Sequence, residues 1–175
     1  MTSNIKIILY SFLLVLVTVR CGIYSFSGVA TSAKTITIDQ FYNSTDLASA
    51  NIGPTFTNRL KDYFQQNTTL RVVSENGDLH LEGTINVYEI NSNLAPTSTG
   101  DPNKPNLSAL SRLTIGMKIS FQDTKEPNNN FKDRSFSFFS DFDNTKDFPN
   151  IQSDLEDEIF KQILTNLFNA TVGNW

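Results

Sequence analysis

The chain has 175 residues, a length typical of one domain with a sizeable hydrophobic core. Hydrophobic residues make up 39% and charged residues 18%, and this composition favours a folded body over a disordered chain. The formal net charge is -4 without a basic cluster, so we expect no nucleic-acid partner.

The first 20 residues have the pattern of an export signal. A short polar start with the cation Lys6 is followed by an apolar run at 7–19. A membrane-spanning helix needs about 20 apolar residues, whereas the apolar core of a secretory signal needs roughly 7 to 15. We therefore expect residues 1–20 to be a signal peptide. A buried N-terminal helix is the alternative, which the lack of a polar face at the helical period disfavours.

The single cysteine, Cys21, follows this segment directly. Removal of residues 1–20 would make Cys21 the first residue of the mature chain, as in bacterial lipoproteins, whose N-terminal cysteine carries acyl chains such as palmitate. Several acyl chains hold a protein firmly on a lipid bilayer, because each buried methylene contributes about 0.8 kcal/mol. The preceding residue is usually small and here is Arg20, so a secreted chain with a free thiol stays as the alternative. We expect residues 21–33 to be a lipidated tether and 34–175 to be the domain.

The domain begins with a predicted strand and helix. Alternation in KTITIDQF, residues 34–41, indicates a half-buried strand with Ile36 and Ile38 on one face. Residues 53–67 repeat apolar side chains at helical spacing, and Pro54 suits the first turn of a helix. The apolar face of this helix is predicted to contain Phe56, Leu60, Tyr63 and Phe64.

Residues 69–90 are predicted to form a strand, a tight turn and a longer strand. Asn76-Gly77 is a strong signal for a two-residue hairpin turn, because both positions tolerate positive φ. Alternation in the longer strand predicts one face with Leu79, Leu81, Ile85 and Val87, and the other with His80, Glu82, Thr84, Asn86 and Tyr88.

Two more strands are predicted at 112–123 and 134–142. The first has a clear apolar face, which contains Leu113, Ile115, Met117, Ile119 and Phe121. Between the strands of 69–90 and 112–123, residues 91–111 are rich in Pro, Asn and Ser, and no element fits them. Loops of this length are uncommon in compact domains and are often functional or mobile. A solvated insert without a function is the alternative.

A helix over residues 150–172 is predicted to close the chain. Ser153 and Glu156 have the spacing of a capping box. The acids within 154–158 would suit the first turns, where the helix dipole favours negative charge. A wide apolar stripe contains Ile151, Leu155, Ile159, Phe160, Ile163, Leu164, Leu167 and Phe168.

These patterns predict an α+β fold. Because each strand has one apolar face and each helix one apolar stripe, both helices are expected to cover the same side of one sheet. The prediction is a two-layer sandwich with a mixed, mostly antiparallel sheet of four to five strands. The other face of the sheet would be polar, and it would meet either water or a polar partner.

The sequence lacks the residues that an enzyme site usually needs. The only histidine, His80, lies in an alternating strand and is expected on the solvent face. One cysteine and one histidine do not supply a metal site with the usual number of such ligands, and no glycine-rich phosphate loop follows a strand. We therefore expect no catalytic residues, no metal site and no cofactor.

Several segments resemble one known family. They are CGIYSFSG at 21–28, ITIDQF, GPTFTNRLKDYF, GDLHLEGTINVYEI, SRLTIGMKISFQDTKEP, FSFFSDFD and the terminal NATVGNW. Together they resemble the LptE-type lipopolysaccharide-assembly lipoproteins of the Bacteroidetes lineage, over nearly all of the mature chain. Arg20 before the cysteine is the main departure.

The resemblance implies a non-enzymatic role at the outer membrane. Members of this family sit on its periplasmic side and act as plug and folding partner of LptD, the β-barrel through which lipopolysaccharide (LPS) reaches the cell surface. They are also thought to contact LPS. Because LPS phosphates and acids favour Lys or Arg, the candidate LPS-binding residues are Arg71, Arg112 and Lys118. A lipoprotein that binds another envelope protein and a tethered enzyme remain alternatives.

Overall fold

The structure is a computed structural model and describes residues 31–94 and 110–173. The predicted signal peptide 1–20, the lipidation site Cys21 and most of the tether lie outside the described residues. The middle of the predicted loop, residues 95–109, also lies outside them.

The described residues form two α-helices and one six-stranded sheet, as the sequence predicted in outline. In chain order the elements are β1 (Thr35–Ile38), β2 (Tyr42–Asn43), α1 (Ile52–Asn67), β3 (Arg71–Val73), β4 (Leu79–Leu94), β5 (Leu110–Asp123), a 3-10 turn (Pro127–Asn129), β6 (Phe131–Asp143) and α2 (Phe148–Thr171). The strand order is β3-β1-β4-β5-β6, and β2 also pairs with β4. The strand count exceeds the expected four to five because Tyr42–Asn43 forms a short strand of its own.

The sheet is mixed. β1 runs parallel to both β3 and β4, and β2 runs parallel to β4. The long strands β4, β5 and β6 form an antiparallel meander. The prediction of an α+β sandwich with a mixed sheet is therefore confirmed.

Both helices pack on the same face of the sheet. The ring of Phe56 in α1 makes edge-to-face contacts with Phe41, which follows β1, and with Phe160 in α2. The ring centroids are 5.0 and 5.1 Å apart, respectively. Such contacts add about 0.5–1.5 kcal/mol to the burial of apolar area. The apolar faces predicted for α1, β5 and α2 are buried or half-buried, as expected. The opposite side of the sheet, which the helices do not cover, is therefore its polar side.

The prediction of a hairpin turn at Asn76-Gly77 is wrong. β3 and β4 are not neighbours, because β1 lies between them and pairs with both. The connecting residues cross the polar side of β1, where Gly77 N donates to Thr37 Oγ1 at 2.9 Å. Asn76 does adopt positive φ, at 55°. A Cβ on Gly77 would lie 2.6 Å from the backbone nitrogen of Thr37, so this crossing requires glycine.

The predicted face of Tyr88 is also wrong. A β-bulge at Asn86 shifts the register, so that Ile85 pairs with Met117 and Val87 with Gly116. The extra residue reverses the alternation after it. Tyr88 is consequently buried on the helix side, with 3% of its surface exposed. Val87 moves to the polar side, where its side chain lies over Gly116.

The capping box predicted for the last helix is wrong as well. α2 begins at Phe148, two residues before the predicted start, with Pro149 in its first turn. Ser153 and Glu156 therefore lie inside the helix. The first turn of α2 contains no acidic residue.

The acids of α2 instead bind neighbouring elements. Glu156 accepts a hydrogen bond from Tyr88 and Glu158 accepts one from Ser140, while Asp157 forms an ion pair with Arg59 of α1. These contacts connect α2 to β4, β6 and α1.

The predicted loop is shorter than residues 91–111. β4 continues to Leu94 and β5 begins at Leu110, and these two residues pair with each other. Within the described residues, no helix combines the length and the apolar character that a membrane crossing requires.

Candidate binding face

The side of the sheet opposite the helices presents polar side chains from several strands. We call this surface the open face. Cross-strand pairs share a face, and the pairing aligns Tyr42, Thr84, Lys118 and Ser135 in one row and Glu82 with Ser120 in the next. The open face agrees with the polar strand face that the sequence predicted for β4 before its bulge and for β5.

A groove of about 620 Å³ runs across the middle of the open face. Its lining includes Asp39, Tyr42, Glu82, Lys118, Ser120 and Asp133. Tyr42 has 68% of its surface exposed, which makes it one of the most exposed large apolar side chains of the described residues. An exposed aromatic ring beside polar groups is typical of binding surfaces.

His80 lines a neighbouring depression that shares Asp39 with this groove, and it has an acidic partner. Its Nε2 and Asp39 Oδ2 are 2.9 Å apart. Glu82 follows two residues later on the same side of β4, and one ligand atom from each of these three residues lies within 4.8 Å of the others. The sequence correctly predicted His80 on the polar side, but nothing in it signalled that parallel pairing would place Asp39 beside it.

The groove has more negative than positive groups. Three carboxylates line it, from Asp39, Glu82 and Asp133, and its lysine is Lys118. Asp133 is positioned by a β-bulge in β6 and has a φ of 50°. The surroundings of Lys118 therefore disfavour a free anion unless a further positive charge is present.

Arg112 lies at the far end of the open face and is engaged by two side chains of β6. Its Nε and Nη2 donate to the carboxylate of Asp141 at 2.6 and 2.9 Å. Its guanidinium also lies 3.5 Å from the ring centroid of Phe139. The hydrogen bonds raise the pKa of Arg112 and lower the pKa of Asp141. Much of the positive charge of Arg112 is thus neutralised within the fold.

The structure does not bring the three predicted LPS-binding cations together. Arg112 and Lys118 are six residues apart on β5, which corresponds to about 20 Å at 3.3–3.4 Å per residue. Arg71 is on β3, three strand spacings or about 14 Å across the sheet from β5. Among the described residues, no ion pair involves Arg71 or Lys118.

The fold is similar to that of several solved structures. The hypothetical protein CT253 from Chlamydia trachomatis matches with a TM-score of 0.50 and 6% identity, over 78% of this chain and 96% of the other. Protein XCC0632 from Xanthomonas campestris matches with a TM-score of 0.50 and 9% identity, over 78% and 84% of the two chains. Lipoprotein GNA1162 from Neisseria meningitidis matches with a TM-score of 0.44 and 11% identity, over 78% and 99%.

At these identities the first two matches show a shared fold. No curated protein sequence matches the chain. A protein family does match it, over residues 33–171, which includes every helix and strand of the sandwich. That family is described as lipopolysaccharide-assembly, and the chain therefore belongs to the LptE family.

Proposed function

We propose that the chain is an outer-membrane lipoprotein, anchored through acylated Cys21 on the periplasmic side, that acts with the β-barrel LptD in the transport and assembly of LPS. The observation that carries the proposal is the family match over residues 33–171. The role is non-enzymatic and needs no cofactor. Residues 1–20 are the signal peptide in this proposal, and 21–33 are the tether.

The open face is the surface that docks with the barrel in this proposal. The interior of an outer-membrane barrel is polar. The helices cover the other side of the sheet, whereas the groove on the open face presents carboxylates, hydroxyls and one lysine. A rigid, polar sheet surface of this kind is suited to lie against a polar barrel wall as a plug, with hydrogen bonds in place of apolar burial.

The test of this partnership is recovery of LptD with the full-length, tagged chain from detergent-solubilised outer membranes. We expect wild-type chain to retain LptD, and Lys118→Glu to retain clearly less, because it adds negative charge to an already acidic groove. Lys161→Glu is the matched control, since Lys161 is exposed on α2 in the other layer. It makes the same charge change and should leave recovery unaltered.

Other outcomes of the same experiment would contradict the proposal. Recovery of a different envelope complex without LptD would favour a lipoprotein with another partner. Equal recovery of LptD by wild type, Lys118→Glu and Lys161→Glu would leave the partnership intact but exclude the groove as the docking surface.

The anchor is tested separately with Cys21→Ser. We expect the wild-type chain to sediment with outer membranes and to carry the added mass of acyl chains. The serine variant should lose that mass and leave the outer-membrane fraction. An unmodified thiol on Cys21 in the native protein would overturn the proposed anchor.

The proposal includes direct contact between the chain and LPS. Arg71 is exposed at the edge strand β3, without an ion pair among the described residues. A phosphate can approach it without first breaking an internal salt bridge. Arg112 and Lys118 are the other candidates, but the first is bound to Asp141 and the second faces three carboxylates. We therefore expect Arg71 to contribute most to LPS binding.

A further inference from the structure

We propose that Asp39, His80 and Glu82 form a binding site for a divalent transition-metal ion on the open face. One carboxylate oxygen from each acid and one imidazole nitrogen lie within 4.8 Å of one another. The closest pair, His80 Nε2 and Asp39 Oδ2, is separated by 2.9 Å. In a tetrahedral zinc site, ligand atoms at about 2.0–2.2 Å from the ion are about 3.3–3.6 Å apart, so this pair would separate by roughly 0.5 Å to share one ion.

The backbone holds the three side chains in this arrangement. His80 and Glu82 are two residues apart on β4, so they project from the same side of the sheet. Asp39 N donates a hydrogen bond of 2.9 Å to Leu81 O, which fixes Asp39 beside the residue between them. Because β4 has paired neighbours on both sides at this point, the site rests on a rigid part of the sheet, as a metal site requires.

The donor set fits a borderline metal ion. A neutral imidazole with carboxylate oxygens suits zinc and its first-row neighbours, whereas magnesium and calcium prefer oxygen ligands alone. Three protein ligands leave at least one coordination position for water or an anion. Asp39 and Glu82 line the groove, and Asp39 and His80 line the neighbouring depression, so the site lies where the two meet.

The charge of the groove supports the same inference. Asp39, Glu82 and Asp133 outnumber Lys118, so the groove by itself repels anions. A bound dication would offset two of these negative charges without any change in the fold. The competing interpretation is a partly exposed hydrogen bond between His80 and Asp39, a kind of surface contact that contributes little to stability.

The inference is tested by calorimetric titration of Zn²⁺ into the full-length chain in detergent, after removal of metals with a chelator. The affinity tag must lack histidine. We expect one ion per chain, and an affinity at least ~10-fold weaker for His80→Ala and for Glu82→Gln. Glu89→Gln is the matched control, because Glu89 is an exposed acid on the same strand outside the cluster. Its affinity should equal that of wild type.

A second measurement distinguishes this site from other metal ligands in the chain. Co²⁺ in place of Zn²⁺ should give visible absorption bands in wild type and in Cys21→Ser, and these bands should be lost in His80→Ala. Absence of Zn²⁺ binding by wild type, or equal affinity in wild type, His80→Ala and Glu89→Gln, would overturn the inference. Neither titration contains a barrel or LPS, so these results are independent of the proposed role with LptD.

Discussion

The hydroxyl of Tyr88 in β4 donates a hydrogen bond of 2.8 Å to Glu156 Oε1 in α2. Gln152 Nε2 donates hydrogen bonds to the Tyr88 hydroxyl at 3.0 Å and to Glu156 Oε1 at 2.9 Å. The three side chains thus form a network between sheet and helix. Burial, followed by the contact with Glu156, raises the pKa of Tyr88 above its usual value, so the hydroxyl stays a donor throughout the neutral range. The bulge at Asn86 makes this network possible, because it turns Tyr88 towards the helix.

Replacement of Tyr88 by phenylalanine should destabilise the domain by about 1–3 kcal/mol, because it removes the donor to Glu156 and leaves that half-buried carboxylate with fewer partners. The measurement is the free energy of unfolding in urea. Tyr42→Phe is the control, since Tyr42 is 68% exposed and should tolerate the change. Equal stability of both variants would contradict a structural role for the network.

Gly77→Ala should destabilise the domain by about 1–3 kcal/mol, because the added methyl would meet the β1 backbone where the chain crosses it. Thermal unfolding monitored by circular dichroism measures the effect. Ser74→Ala, an exposed change in the same connection, should leave the melting temperature unaltered. A stable Gly77→Ala variant would show that the crossing can move away from β1.

Asp78 connects the start of β4 to β1 and to the residues after β5. Its Oδ2 accepts a hydrogen bond from Lys34 N at 2.8 Å and its Oδ1 lies 3.1 Å from Lys125 Nζ. The hydrogen bond from the backbone of Lys34, followed in size by the contact with the side chain of Lys125, lowers the pKa of Asp78 to about 2 from its ordinary value of 3.8. Because the folded pKa is the lower one, the stabilisation is complete above the ordinary value and is lost as the pH falls towards 2.

Asp78→Asn should therefore lower the melting temperature at pH 7 by a few degrees, and the difference from wild type should shrink as the pH falls from about 4 to about 2. Asp46→Asn is the control, since Asp46 is exposed in a loop. This variant should have nearly the same melting temperature as wild type at pH 7 and over the acidic range. A difference between wild type and Asp78→Asn that stays constant over this range would contradict the assigned role.

Among the predicted LPS-binding cations, Arg71→Gln should reduce LPS binding by the full-length chain more than Arg112→Gln does. Arg71 is free of ion pairs among the described residues, whereas Arg112 is held by Asp141 and Phe139. Binding of purified LPS to the immobilised chain in detergent measures this, with Lys161→Gln as a control on the helix layer. A larger loss with Arg112→Gln would show that LPS displaces Asp141.

Local patterns determined much of the fold. Strand alternation and helical spacing depend only on which side chains avoid water, so the apolar faces of α1, β5 and α2 could be predicted without a structure. The layer arrangement followed from the same patterns, because each element had one apolar side to bury.

The errors occurred where the result depended on distant residues. Asn76-Gly77 has the chemistry of a hairpin turn, but β1 occupies the position that a hairpin partner would take. The bulge at Asn86 likewise depends on pairing with β5. The start of α2 at Phe148 is the exception, because Pro149 in its first turn is a local signal.

The sequence by itself therefore determined most of the secondary structure, the buried faces of α1, β5 and α2, and the likeness to the LptE family, since all three are recorded in local residue order. Only the tertiary structure decided which strands are neighbours, and with them the groove, the engagement of Arg112 by Asp141 and the meeting of Asp39 with His80. Parallel pairing joins residues about 40 positions apart, and no local periodicity reports a contact over that distance.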